Sequence, residues 1–263
     1  MEKQQDKSRE TATNSQRVGL FVTCLIDLFR PNVGFAAVKL LEQAGYTVEV
    51  PEQGCCGQAN FNGGDADGAQ AMALSTIQLF ADFDYVVVPS CSCAAMIRVH
   101  YPELFPEGSE HAQEAERLAA KTWELTSFLH DVAGFSGVDA EFSGPVAVHD
   151  SCSGLRELGV QQQPRELLNK VTGLVEVPLK NPEVCCGFGG IFCVKYPDIS
   201  NRIADKKLAD IRSLEKPVVA LVSTELGCLL HLSGKLHREG SSIRTLHVAE
   251  VLAGMADLDE NLN

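Results

Sequence analysis

Tyr46–Gly57 reads YTVEVPEQGCCG, and 130 residues after its cysteine pair the stretch Leu174–Gly187, LVEVPLKNPEVCCG, closes on the same triplet. Each stretch opens on a β-branched, apolar-rich run and ends, after a short loop, in Cys-Cys-Gly. The correspondence extends outward on both sides. Cys24 directly follows the apolar run Val18–Thr23 (VGLFVT), and Cys152 stands 128 residues later, just after Pro145–His149 (PVAVH). Cys93 comes after Tyr85–Val88 (YVVV), and Cys228 after Val218–Val222 (VVALV), at an offset of 135. Four matched cysteines with a small drift in offset indicate a duplicated unit.

Helical periods fill the spaces between these runs. Pro31 opens a helix with Val33, Ala36, Ala37, Leu40, Leu41 and Ala44 on one face, and Gly45 ends it. Further helices are predicted over 66–80, over 109–132 and over 197–214. In the second of these Ser109 is the N-cap and Leu118, Leu125, Leu129 and Val132 share one side; in the third, Ile203, Leu208 and Ile211 face inward. Ile243–Leu246 adds a strand before a helix near 248–254. Strands alternating with helices imply a mostly parallel sheet covered on both faces. The expected fold is therefore α/β in two duplicated halves, residues 17–133 and 145–263, joined by the Gly/Ser-rich linker 134–144. Residues 1–16 read as a solvated tail.

Composition narrows the function. Among 263 residues, 22 are basic and 35 acidic, a formal net charge of −13 with no dense Lys/Arg stripe, which disfavours nucleic acid. No run of about 18 apolar residues suggests a membrane span, and the N-terminus lacks the apolar core of a signal peptide. A cytoplasmic location is expected, where thiols stay reduced. Ten cysteines in that setting argue for metal or redox chemistry.

In a parallel sheet, ligands gather at the carboxyl ends of the strands, and that is where these cysteines fall. Thiolates suit iron–sulfur clusters and zinc. Zinc modules usually use two C-x-x-C knuckles, which are missing here, and adjacent cysteines are expected to point apart, which favours a cluster with separated irons. Gly54, Gly57, Gly187, Gly189 and Gly190 let backbone N–H groups approach such a cluster. Cys91 and Cys193 do not correspond to each other and are weaker ligand candidates. His149 is a candidate ligand or proton carrier, read by default as a hydrogen-bonded core histidine. Lys195, Arg156, His231 and His237 read as surface residues, and Trp123 as core.

The motifs FVTCLIDLFRPNVG, EQGCCGQANFNGG, DYVVVPSCSCAAMIRVHYPELF, VHDSCSGLRELGV, QPRELL and CCGFGGIFCVKYPDIS resemble those of the CCG cysteine-rich family. That family includes the cysteine-rich subunit of heterodisulfide reductase, glycolate oxidase iron–sulfur subunits and, most similar, proteins of lactate utilization. The resemblance implies two Rossmann-like halves, each holding iron–sulfur ligands, with clusters of 4Fe-4S type. It implies a cytosolic, multi-subunit system oxidising L-lactate, a small 2-hydroxy acid, to pyruvate, with iron–sulfur partner subunits passing electrons onward. Carried over by position, the ligands are Cys24, Cys55, Cys56 and Cys93, then Cys152, Cys185, Cys186 and Cys228. Heterodisulfide-type domains end in C-x-x-C, whereas this chain has Cys91-Ser92-Cys93 and a single Cys228. Rival readings are a cluster-dependent thiol–disulfide reductase, a zinc assembly module and a switch based on oxidation of the vicinal pairs.

Overall fold

The computed structural model describes residues 16–257; the tail expected over 1–16 lies, apart from Gln16, outside the described residues. Among the described residues the apolar runs form eight strands: β1 (Arg17–Leu20), β2 (Thr47–Glu49), β3 (Tyr85–Val88), β4 (Thr122–Glu124), β5 (Glu141–His149), β6 (Thr172–Glu176), β7 (Ala220–Ser223) and β8 (Arg244–His247). They pair into two four-stranded sheets, ordered β2-β1-β3-β4 and β6-β5-β7-β8, with every pairing parallel. Val86–Val88 of β3 and all of β7 are buried, as strands covered on both faces must be. In each sheet the connections leave in opposite directions from the central pair, β1/β3 in one and β5/β7 in the other. That reversal opens a crevice at the carboxyl ends of the two strands.

The helix Asn32–Gln43 buries Val33, Ala36, Ala37, Leu40 and Leu41, the stripe its spacing predicts. Ser109 caps the helix Glu110–Lys121 by accepting from Ala112 N–H. That helix stops earlier than expected, however. Thr122–Glu124 leaves the helical path to pair with β3, Val86 opposite Thr122 and Val88 opposite Glu124, and helical structure resumes at Leu125. Thr122 and Trp123 favour extended backbone, and their pairing completes the first sheet just as β8 completes the second. Strand β5 begins at Glu141, inside the stretch expected to be linker.

One apolar core runs through both halves, combining Leu40, Leu41 and Phe128 with Val148, Val222, Val251 and Leu252. Lys39 Nζ donates to Ala253 O at 2.7 Å across this junction. Arg30 Nε reaches Glu250 Oε1 at 2.8 Å and its Nη1 donates to Thr245 O at 2.8 Å. Two further cores lie within single halves, one under Cys56 and Cys93 and the other under Cys186 and Cys228.

Candidate metal centre

Cys24 opens a short helix, Cys24–Phe29, directly beyond β1, and Cys93 lies in the helix Cys91–Ala95 directly beyond β3. These are the two lips of the first crevice. The loop after β2 brings Cys55 and Cys56 between them, held by Gln53 Nε2 donating to Leu20 O at 3.1 Å and Gln58 Nε2 donating to Ser92 O at 3.2 Å. Tyr101 Oη donates to Cys56 O at 2.9 Å from below. Cys24 Sγ stands 3.8 Å from Cys55 Sγ, and Cys56 Sγ 3.3 Å from Cys93 Sγ. All are free thiols.

The second half repeats this arrangement. Cys152 follows β5, Cys185 and Cys186 follow β6, and Cys228 lies in the helix Leu226–Arg238 after β7. Cys186 Sγ is 3.0 Å from Cys228 Sγ, and the Cys152 thiol donates to Cys185. Gly187 N–H points at Cys185 Sγ at 3.3 Å and Phe188 N–H at Cys186 Sγ at 3.4 Å. Gly187 has φ +90°, and a Cβ on it would stand 2.5 Å from Ser200 O. Only glycine lets the triplet close so tightly.

Within each quartet the sulfurs are hydrogen-bonded in pairs. Cys24 donates to Cys55 and Cys56 to Cys93; in the second half Cys186 donates to Cys228 and Cys152 is bonded to Cys185. The donors hold Cys55 and Cys185 far below the ordinary thiol range and push Cys24 and Cys152 up. In the first pocket the adjacent thiols take different partners, Cys55 with Cys24 and Cys56 with Cys93, and left-handed Gly57 and Gly187 follow each pair.

Four sulfurs make a soft set, suited to iron–sulfur or zinc and unsuited to calcium or magnesium. Thiols bonded to one another stand at or below the edge of about 3.8 Å that four sulfurs 2.3 Å from one zinc would make. Loading either pocket therefore breaks the S–H···S bonds and releases protons.

The remaining candidates are scattered. Cys91 is buried and turned away from Cys93, its Sγ 3.0 Å from Thr224 Oγ1 of the other half. Cys193 donates to Gly190 O at 3.1 Å. Arg156, Lys195 and His237 are exposed. His231 is half-buried rather than on the surface, because Ser200 Oγ holds its Nε2 at 3.1 Å. Trp123 is half-buried, with Arg98 stacked over its ring at 5.1 Å.

His149 is buried, yet it has none of the hydrogen bonds expected of a core histidine. Burial, with Lys207 nearby, pushes it down to about 4, so the ring is neutral. Leaving buried polar atoms unpaired costs about 1–3 kcal/mol.

Two contributors were not visible beforehand. Lys207 is fully buried, with Nζ donating to Pro182 O at 3.0 Å and Asn181 O at 3.3 Å, and it lies close enough to act electrostatically with Cys185 and Cys186. Its one signal is position, a lysine on the same face as the apolar Ala204, Leu208 and Ile211. The other is Glu225, which links the helices carrying Cys93 and Cys228.

A duplicated α/β scaffold with a Cys, Cys-Cys-Gly, Cys quartet at each switch point defines a class of cysteine-rich protein. The chain belongs to the CCG cysteine-rich domain family, whose model matches residues 18–98 and 146–233. It is 48% identical over 237 residues to lactate utilization protein A of Geobacillus kaustophilus, covering 90% of this chain and 98% of that protein. It is 46% identical to lactate utilization protein A of Geobacillus thermodenitrificans, with the same coverage. Among solved structures, a glutamate racemase from Bacillus anthracis aligns over 91% of this chain and 79% of that one, at a TM-score of 0.34 and 11% identity. That likeness is too distant to bear on chemistry.

Proposed function

We propose that this chain is an iron–sulfur electron-transfer subunit of a cytoplasmic lactate-utilization complex that oxidises L-lactate to pyruvate. The observation that carries the reading is the pair of matched thiol quartets, in a chain nearly half identical to proteins named for lactate utilization. Cys24, Cys55, Cys56 and Cys93 would hold one cluster and Cys152, Cys185, Cys186 and Cys228 the other, probed first as 4Fe-4S centres. Such clusters accept and release single electrons.

The chain's own residues supply the rest. The thiols of both quartets give up their protons on loading. Gly187 and Phe188 N–H groups, already aimed at sulfur, stabilise negative charge there. Oxidation of lactate to pyruvate releases two electrons and two protons. In this reading the partner iron–sulfur subunits and this chain carry the electrons away one at a time.

The test is anaerobic purification with iron and acid-labile sulfide counts, followed by electron paramagnetic resonance with lactate and the partner subunits present. The reading predicts clusters that lactate reduces. Zinc without sulfide would replace it with an assembly module, and turnover of disulfides without lactate dependence would replace it with a thiol–disulfide reductase.

A further inference from the structure

The two pockets match thiol for thiol but differ in one buried neighbour. Three residues before the first cysteine of each quartet stand Phe21 in the first half and His149 in the second. Phe21 is buried and packs on Phe80 with ring centroids 5.7 Å apart. His149 ends β5, is 1% exposed, and has no hydrogen-bond partner at Nδ1 or Nε2. Among the described residues it is the only histidine buried with both ring nitrogens idle. His247 leaves only Nε2 unpaired, since its Nδ1 accepts from Ala249 N–H at 3.2 Å.

A ring nitrogen of His149 and the sulfurs of Cys186 and Cys228 all lie within 4.8 Å of one another. Apolar Phe21 shows that the scaffold has no need of a polar ring at this position. An imidazole stripped of water and given no partner by the polypeptide marks a group that the polypeptide does not itself provide. Neutral imidazole is a common ligand of iron and zinc, and it keeps company with thiolates in mixed sites.

We infer that His149 is a nitrogen donor to the metal centre of the second pocket, giving that pocket a mixed sulfur–nitrogen set where the first has sulfur alone. The inference rests on the reading of both pockets as iron–sulfur sites. It carries a direction for electron flow. Neutral imidazole adds a donor without adding negative charge, and buried Lys207 beside Cys185 and Cys186 offsets thiolate charge, which raises the second pocket's potential. The second pocket is then the better acceptor, so electrons entering at the first pocket run on to the second.

The test uses the full chain, purified anaerobically from cells fed ¹⁵N-histidine, with iron and sulfide counted and the clusters reduced stepwise under pulsed electron paramagnetic resonance. The expected result is a directly bonded histidine nitrogen on the cluster that reduces first. His149→Phe, which installs the residue of the first half, should abolish that coupling. Full clusters without a histidine nitrogen, with only the weak coupling of a hydrogen bond, or with a coupling that survives His149→Phe would overturn the role of His149 and leave the proposed function standing. Chains without iron and sulfide would overturn both. Should His149→Phe fail to fold, the coupling must persist in His231→Gln; its loss there would assign the nitrogen to His231 and sink the inference.

Discussion

The carboxylate of Glu225, which caps the helix carrying Cys228, accepts the backbone N–H of Ser92 at 2.8 Å, one residue before Cys93. The same Oε2 takes Ser90 Oγ–H at 3.0 Å, while Oε1 faces Gly227 N–H at 3.4 Å. One buried carboxylate thereby ties the helix of the first pocket to the helix of the second. Displacing either helix moves a sulfur in each half.

Glu225→Ala strands the Ser92 N–H in the interior and removes the cap, so it should destabilise the chain by about 2–3 kcal/mol in urea unfolding. Glu225→Gln keeps an acceptor and should cost less. Alkylation of Cys93 and Cys228, followed by mass spectrometry, should quicken at both sites in Glu225→Ala. Acceleration at only one would deny the link.

Glu124 bears on pH. Burial raises its carboxyl to about 7 from an ordinary 4.5, and its Oε1 has no partner. Between those values the folded chain keeps a proton that the unfolded chain has released, so stability falls as pH climbs from about 4.5 to about 7 and stays low above that. Glu124→Gln should be no more stable than the wild type at pH 4 and more stable by up to about 3 kcal/mol at pH 8. Parallel stability curves across that range would contradict the assignment.

Gly187→Ala places a Cβ against Ser200 O in left-handed backbone. It should cost about 1–3 kcal/mol and open the Cys185-Cys186 loop. Metal bound at the second pocket should fall while the first keeps its own, which metal counts in this variant would show.

Ion pairs sort by burial. The side chains of Arg30 and Glu250 are 15% and 1% exposed, and they join the two halves, whereas those of Arg17 and Glu49 are 45% and 47% exposed. Arg30→Ala takes the cation away from a buried carboxylate that keeps His247 N–H and should cost about 3 kcal/mol. Arg17→Ala should leave the unfolding midpoint nearly where it was.

The sheets and the quartets were legible because duplication prints the same strand–cysteine order twice, and the carboxyl ends of parallel strands converge. Strand β4 was hidden because Leu118, Leu125 and Leu129 keep a helical rhythm across three residues whose extended state depends on pairing with β3. Cys91 and Cys93 are two residues apart on one helical turn, so the turn aims one sulfur at Thr224 and the other at Cys56, a division that spacing cannot express. Lys207 looked solvated by residue type, and only the carbonyls of Asn181 and Pro182 make its burial tolerable.

The most direct measurement is the iron and acid-labile sulfide content of anaerobically purified chain, compared among the wild type, Cys55→Ser/Cys56→Ser and Cys185→Ser/Cys186→Ser. The account predicts two loaded pockets in the wild type and loss of about half the iron and sulfide in each double variant. Iron and sulfide unchanged by either pair of substitutions, or zinc as the sole metal, would contradict it.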